Sequence, residues 1–290
     1  MRGVQAMMLP DGRRLHLQHG PIDLIVEAFG SPADVRTSYA QVVDAFGDVL
    51  PQLAAELPLL RTPLGETKPP FQGPVAMRMG RACWPYRDEF ITPMAAVAGA
   101  VADHVLAHML RGVTLARAYV NDGGDIAFHL APGERLTCGV VADLAMPNID
   151  GTVTLTADMP VRGIATSGRA CKGKGGRSFS LGIADAVTVL AADGAAADAA
   201  ATIIANAVDL PGDSAVKRVP ASDIDPDSDL GDRLVTLEVA PLELSAIERA
   251  LRAGVAKAEA LRQAGHIYGA VLVLQRRFAA VGPSLARLAA

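Results

Sequence analysis

Aromatic side chains are scarce in this chain: one Trp, four Tyr and seven Phe make up 4% of its 290 residues. Its interior must therefore be packed from small aliphatic groups, and alanine alone supplies 52 residues. Cysteine is scarce as well. Cys83, Cys138 and Cys171 are odd in number and form no Cys-x-x-Cys pair, which supports neither a disulfide framework nor a zinc ribbon and makes a reducing cytoplasm the simplest home. No apolar run reaches the roughly 18 residues that suggest a membrane helix. The longest candidate, around Met94 to Leu110, is broken by Asp103, His104 and His108, and Asp11, Arg13, Arg14, Asp23 and Glu27 break up any signal-peptide core near the start. Basic charge is not in excess: 27 Lys and Arg face 31 Asp and Glu, for a net charge of −4, which argues against a dedicated nucleic-acid binder. Half the residues are hydrophobic and a fifth are charged, a composition that folds. The length allows one large domain or two intimately packed subdomains with a boundary near residue 151.

Alternation in Arg14–Gln18 and again in Ile22–Ala28, around Gly20-Pro21, predicts a β-hairpin. Apolar spacing from Ser38 to about Leu57 predicts a helix with Pro51 as a kink or break. Residues 61–74, with four prolines, read as a loop leading into a strand at Val75–Met79 on which Met77 and Met79 point to the core. Thr92-Pro93 opens a second helix, followed to about Arg111-Gly112 through Val97, Val101, Val105 and Met109. Strands are predicted at 116–120, 126–130, 136–141, 152–156, 161–165 and 186–190, then an alanine-rich helix at 194–207. Asp209–Asp232 reads as a long loop, followed by a strand at 234–239, a helix at 242–264 and a final strand at 267–274. Short turns favour antiparallel pairing, and the order of elements is α+β rather than regularly alternating.

Three segments could carry chemistry. Asp198, Thr202 and Asn206 recur every fourth residue on the alanine-rich helix; they form either a solvated polar stripe or, through Asp198 and Thr202, oxygen ligands for a hard cation such as Mg²⁺. Asn121-Asp122-Gly123-Gly124-Asp125 is a hairpin turn or a place where backbone approaches a ligand. Thr166-Ser167-Gly168-Arg169, continuing to Lys172, Lys174 and Arg177 among glycines, is an anion-binding loop or a solvated turn, and it lacks the Walker pattern. His104 and His108 have the spacing of a ligand pair but no third partner, so a surface pair is expected; Cys83 and Cys171 have no adjacent base.

Taken in order, Thr92-Pro93-Met94-Ala95-Ala96-Val97-Ala98-Gly99, Asn121–Asp125, Ala165-Thr166-Ser167-Gly168 and Ala197-Asp198-Ala199-Ala200-Ala201-Thr202 resemble the ApbE superfamily over residues 92–208. Characterised ApbE proteins are Mg²⁺-dependent flavin transferases that split FAD and attach FMN to a threonine of a target protein. The resemblance implies a two-part α+β fold with mostly antiparallel sheets and a cleft between the parts. By the same resemblance, Asp198, Thr202 and the carbonyl of Ala96 match the metal site, and Gly123, Gly124, Thr166, Ser167, Gly168, Arg169 and Lys172 match ligand-lining segments. The implied ligand is a small anionic molecule, with FAD or another flavin nucleotide as the candidate, and a homodimer is a candidate assembly. Two features depart from the family: its Ala-Lys-Gly-Tyr segment reads Ala98-Gly99-Ala100-Val101 here, and the His-x-x-Asp-Pro segment after Ala-Thr-Ser-Gly is absent. An accessory protein that binds ligand without transferring it is therefore the alternative, and a role in sulfur (homocysteine) metabolism is a third reading, drawn from some relatives.

Overall fold

A computed structural model describes residues 3–140, 151–169, 179–283 and 287–288. Strands β1 (Gln5–Met8), β2 (Leu15–His19) and β3 (Ile22–Gly30) lead into helix α1 (Pro32–Ala55). The helix starts earlier than its apolar spacing shows because Ser31 caps it, accepting the Asp34 amide at 3.1 Å, with Pro32 at the first position. It also runs through Pro51, burying Val42, Phe46, Val49 and Leu53. After α2 (Leu57–Leu60), the strand expected at Val75–Met79 is instead helix α3 (Pro74–Cys83). Pro74 occupies its first turn, the Glu56 carboxylate accepts the amides of Gln72 and Gly73 at 2.8 and 2.7 Å, and Val75, Ala76, Met79 and Cys83 are buried at helical spacing. Met79 is a core residue as expected, but Met77 is 50% exposed. A 3₁₀ turn (Pro93–Ala96) then feeds α4 (Val97–Met109).

The rest of the chain runs β4 (Leu115–Asp122), β5 (Asp125–Leu130), β6 (Arg135–Val140), β7 (Gly151–Thr156), β8 (Gly163–Ser167), β9 (Ala186–Ala191), α5 (Gly194–Ala207), β10 (Val216–Pro220) and α6 (Ala221–Ile224). It ends with β11 (Leu234–Val239), α7 (Leu244–Gln263), β12 (Gly269–Leu274), β13 (Arg277–Val281) and β14 (Arg287–Leu288). This is an α+β protein, as expected. No helix among the described residues is long and apolar enough to cross a membrane.

The chain divides into two compact units. Unit 1 comprises Met1–Leu136, Leu155–Ala165 and Ala191–Ala199. In it β1 to β5 pair antiparallel in sequence order, and β8 joins β5 through Ile126↔Ile164 and Ala127↔Gly163. Helix α4 packs against β4, β5 and α1, and Leu17, Leu24, Phe46, Val105, Met109 and Val120 are fully buried. Unit 2 comprises Thr137–Thr154, Thr166–Leu190 and Ala200–Ala290. Here β9, β12 and β13 form an antiparallel ladder covered by α7, β14 pairs β7, and β10 pairs β11.

Two expectations are corrected in unit 2. The Asp209–Asp232 segment is not one loop, because β10 and α6 form within it. Their partners are distant in sequence: Val219 faces Val235, Lys217 binds Glu238 at 2.9 Å, and Arg218 binds Asp209 and the Leu181 carbonyl. Nor is β12 the final strand. It turns through Gln275 and Arg276 into β13, with neither Gly nor Asn to mark the hairpin.

Candidate functional site

Within unit 1, α4 and the start of α5 cap each other. Asp103, buried on α4, accepts the amides of Gly194 and Ala195 at 2.9 Å each, which are the first two residues of α5. Asp198, one turn into α5, returns the bond by accepting the Gly99 amide at 3.1 Å in the first turn of α4. Each helix N-terminus thus receives a carboxylate from the other helix, and α5 has a second from Asp193, which accepts the Ala196 amide at 2.8 Å, so orphan amides are satisfied and both dipoles complemented. The arrangement requires near-contact of backbones. A Cβ on Gly99 would lie 2.2 Å from the Gly194 carbonyl oxygen, and one on Gly194 would lie 2.9 Å from that of Gly99.

Asp198 is half-buried and densely surrounded. Desolvation pushes its pKa well above the usual carboxylate value, the charges of Asp125 and Asp122 push it further, and the amides of Gly99 and Ala98 pull the other way. Asp122 is raised to about 8, chiefly by burial and then by Asp125 and Asp23. Asp103 reaches about 6 through burial and Asp193, against the opposing pull of the Ala195 and Gly194 amides. Asp122 and Asp125 close the two-residue turn between β4 and β5, formed by Gly123 at φ +63° and Gly124 at φ +116°, with Asn121 accepting the Gly124 amide at 2.8 Å. Both glycines are exposed with open space around them, and turn geometry accounts for their identity.

Such a concentration of carboxylates can take up protons or a cation. Among the described residues no three His, Cys, Asp or Glu side chains group closely enough to hold a metal between them. A cation beside Asp198 would therefore also need backbone or hydroxyl oxygens and ligand atoms, the open coordination typical of Mg²⁺. Ala96, fully buried, is the cap residue of α4 and brings its carbonyl to the same helix start that Asp198 reaches. Thr202 follows Asp198 one turn along α5 and is half-buried. The solvated-stripe alternative fails for two of its members, since Asp198 binds the Gly99 amide and Asn206 accepts the Leu181 amide at 3.1 Å.

The other predicted ligand residues belong to unit 2. The Thr166 and Thr188 hydroxyls are 2.9 Å apart, and Ser167 is half-buried. Gly168 has φ +131°, and a Cβ there would lie 2.6 Å from the Asp185 carbonyl oxygen, so close strand approach demands glycine. Arg169 donates its amide to the Ala184 carbonyl at 2.9 Å and pairs with Asp185 at 3.9 Å. Lys172, Lys174, Arg177 and Cys171 lie outside the described residues.

The His104 and His108 rings lie 4.7 Å apart, tilted by 48°, and are half-buried rather than fully on the surface. Burial, His108, Arg78 and Arg111 hold His104 down to about 4. The Cys83 thiol is buried and raised by desolvation, which makes it inert at neutral pH. Sequence reasoning missed the capping role of Asp103 and the hydrogen bond from the Gln275 amide to Asp185. Only Asp103 left a signal, as a lone carboxylate inside an apolar helix.

The family described as AbpE bacteria matches residues 6–282. The chain is 38% identical over 144 residues to a UPF0280 protein of Methanothermobacter thermautotrophicus, covering 49% of this chain and 52% of that one. It is 33% identical over 150 residues to a UPF0280 protein of Methanospirillum hungatei, covering 51% and 57%. The chain thus spans about half the length of the curated relatives it matches. Among solved structures, Flavin Transferase ApbE from Vibrio cholerae aligns over 97% of this chain and 99% of that one, with a TM-score of 0.49 and 14% identity. Because the family match extends over nearly the whole chain, the protein belongs to the AbpE bacteria family, in agreement with the ApbE-like character of its four motifs.

Proposed function

We propose that this protein binds an anionic nucleotide, a flavin nucleotide such as FAD, together with a divalent cation, Mg²⁺. The observation that carries the reading is Asp198: a half-buried carboxylate at the start of α4, surrounded by the negative charge of Asp125 and Asp122, which a cation would relieve. In unit 1, Asp198 and the Ala96 carbonyl would hold the cation, with the Thr202 hydroxyl one turn further along α5; within unit 2, Thr166, Ser167, Gly168 and Arg169 would contact an anion. Bound Mg²⁺ would supply neutralisation of charge growing on a phosphoryl oxygen. The chain's own contribution is to fix the Asp198 carboxylate at the start of α4, where the Gly99 amide donates to it, and to present the planar Arg169 donors to an anion.

One observation favours binding without transfer. The family's lysine falls at Gly99, where any side chain would collide with the Gly194 backbone. The space next to Gly99 is filled by the start of helix α5. The deciding experiment is a titration with FAD, with and without Mg²⁺, following flavin fluorescence while assaying AMP and FMN release. Mg²⁺-dependent binding without AMP supports the accessory reading, and binding with AMP release supports the transferase. No binding in either condition contradicts both.

A further inference from the structure

The turn joining β12 to β13 is built from Gln275 at φ +43° and Arg276 at φ +63°. Two successive residues with side chains in the left-handed region are strained, and Asn-Gly would make the same hairpin without strain. Strain of this kind persists only where the surroundings fix it, and it concentrates at functional sites. Here Gln275 is pinned three ways. Its amide donates to Asp185 Oδ2 at 2.5 Å, its Oε1 accepts the Leu242 amide at 2.9 Å, and its Nε2 donates to the Ala240 carbonyl at 2.8 Å.

Asp185 is therefore a junction. Its own amide is held by the Val273 carbonyl at 2.9 Å, one carboxylate oxygen takes the strained turn, and the other faces the Arg169 guanidinium at 3.9 Å. Arg169 is tied by its backbone to Ala184, the residue before Asp185, and Gly168 admits the close approach that this requires. At 3.9 Å the Asp185–Arg169 contact is charge pairing rather than a hydrogen bond. Asp185 thus locates the guanidinium without occupying its donors. Lys217 and Glu238, paired at 2.9 Å, also belong to unit 2, and the Glu238 pKa is lowered chiefly by Lys217 and to a smaller degree by Arg169.

We propose that Asp185 and Gln275 are positioning residues that hold the Arg169 guanidinium ready for an anionic group of the ligand. The inference rests on the reading of Arg169 as an anion contact. Its test has two readouts, of which the first needs no ligand. Phenylglyoxal modification of Arg169, followed by mass spectrometry, should run several-fold faster in Asp185→Asn, which keeps an acceptor for Gln275 but loses the charge pair. The same acceleration is expected in Gln275→Asn, which tolerates the turn but shortens the anchors. Unchanged reactivity in both variants overturns the proposal.

The second readout is a double-mutant cycle on FAD binding in the presence of Mg²⁺. Asp185→Asn should weaken binding roughly tenfold in the wild-type background and have no effect in Arg169→Ala, because Asp185 acts through Arg169. Equal weakening in both backgrounds marks Asp185 as merely structural and overturns the proposal. Faster modification of Arg169 in a protein that binds no FAD supports the positioning of Arg169 and rejects the flavin reading, so the two failures are distinguishable.

Discussion

Asp198, Asp122 and Asp103 all have raised pKa values, and burial is the first cause in each case. A carboxylic acid whose folded pKa exceeds its unfolded value binds more protons in the folded chain, so its contribution to stability is lost as pH rises through that interval. For Asp122 the interval runs from 3.8 to about 8. His104, lowered from 6.5 to about 4, acts in the opposite sense only below its ordinary value. Between about pH 6.5 and 8 the carboxylates therefore dominate, and without divalent cations the melting temperature should fall across this range. Asp122→Asn should flatten the fall; a fall of the same size in that variant would dissociate Asp122 from it. Asp198→Asn keeps an acceptor for the Gly99 amide while removing the charge, so it should raise the melting temperature at about pH 8. A clear loss of stability there would show that the charge itself supports the fold.

At the scale of elements, the reciprocal caps of α4 and α5 define the site. Asp103→Ala strips two amides of their acceptor and should destabilise unit 1 by about 2 kcal/mol, read as a lower urea midpoint. Gly99→Ala should destabilise more, since its methyl meets backbone rather than a flexible side chain. An equal or smaller effect for Gly99→Ala would mean that α5 yields easily. Gly99→Lys, which restores the family's lysine, should displace α5 and create no transferase activity. The bounds of α5 were legible because its apolar spacing is regular between Gly194 and Ala207. Helix α3 was not, since Val75-Ala76-Met77-Arg78-Met79 also satisfies strand alternation, and what decides is the Glu56 carboxylate at its start. Strand β10 was hidden because its partner β11 lies across a polar excursion, and β13 because strain, not Gly, makes its turn.

At the scale of the molecule, the candidate site was legible where chemistry and geometry coincide in sequence. Asp198 and Thr202 stand one turn apart, and Asp122 and Asp125 flank a glycine pair. Contacts between segments a hundred residues apart were not legible: neither Asp198 with Gly99 nor Asp185 with Gln275 leaves a local pattern. The same contacts explain the departure from the family at Gly99, which is a packing requirement of the α4–α5 crossing rather than an isolated loss. The proposed flavin reading rests on the resemblance of the four motifs, and the crossing at Gly99 is what favours binding over transfer within that proposal. The most direct test of that account is the binding of Mn²⁺, as a paramagnetic stand-in for Mg²⁺, by the wild-type protein and by Asp198→Asn in the presence of FAD. Stoichiometric Mn²⁺ binding by the wild type that is lost in Asp198→Asn is the predicted result; equal binding by both would contradict it.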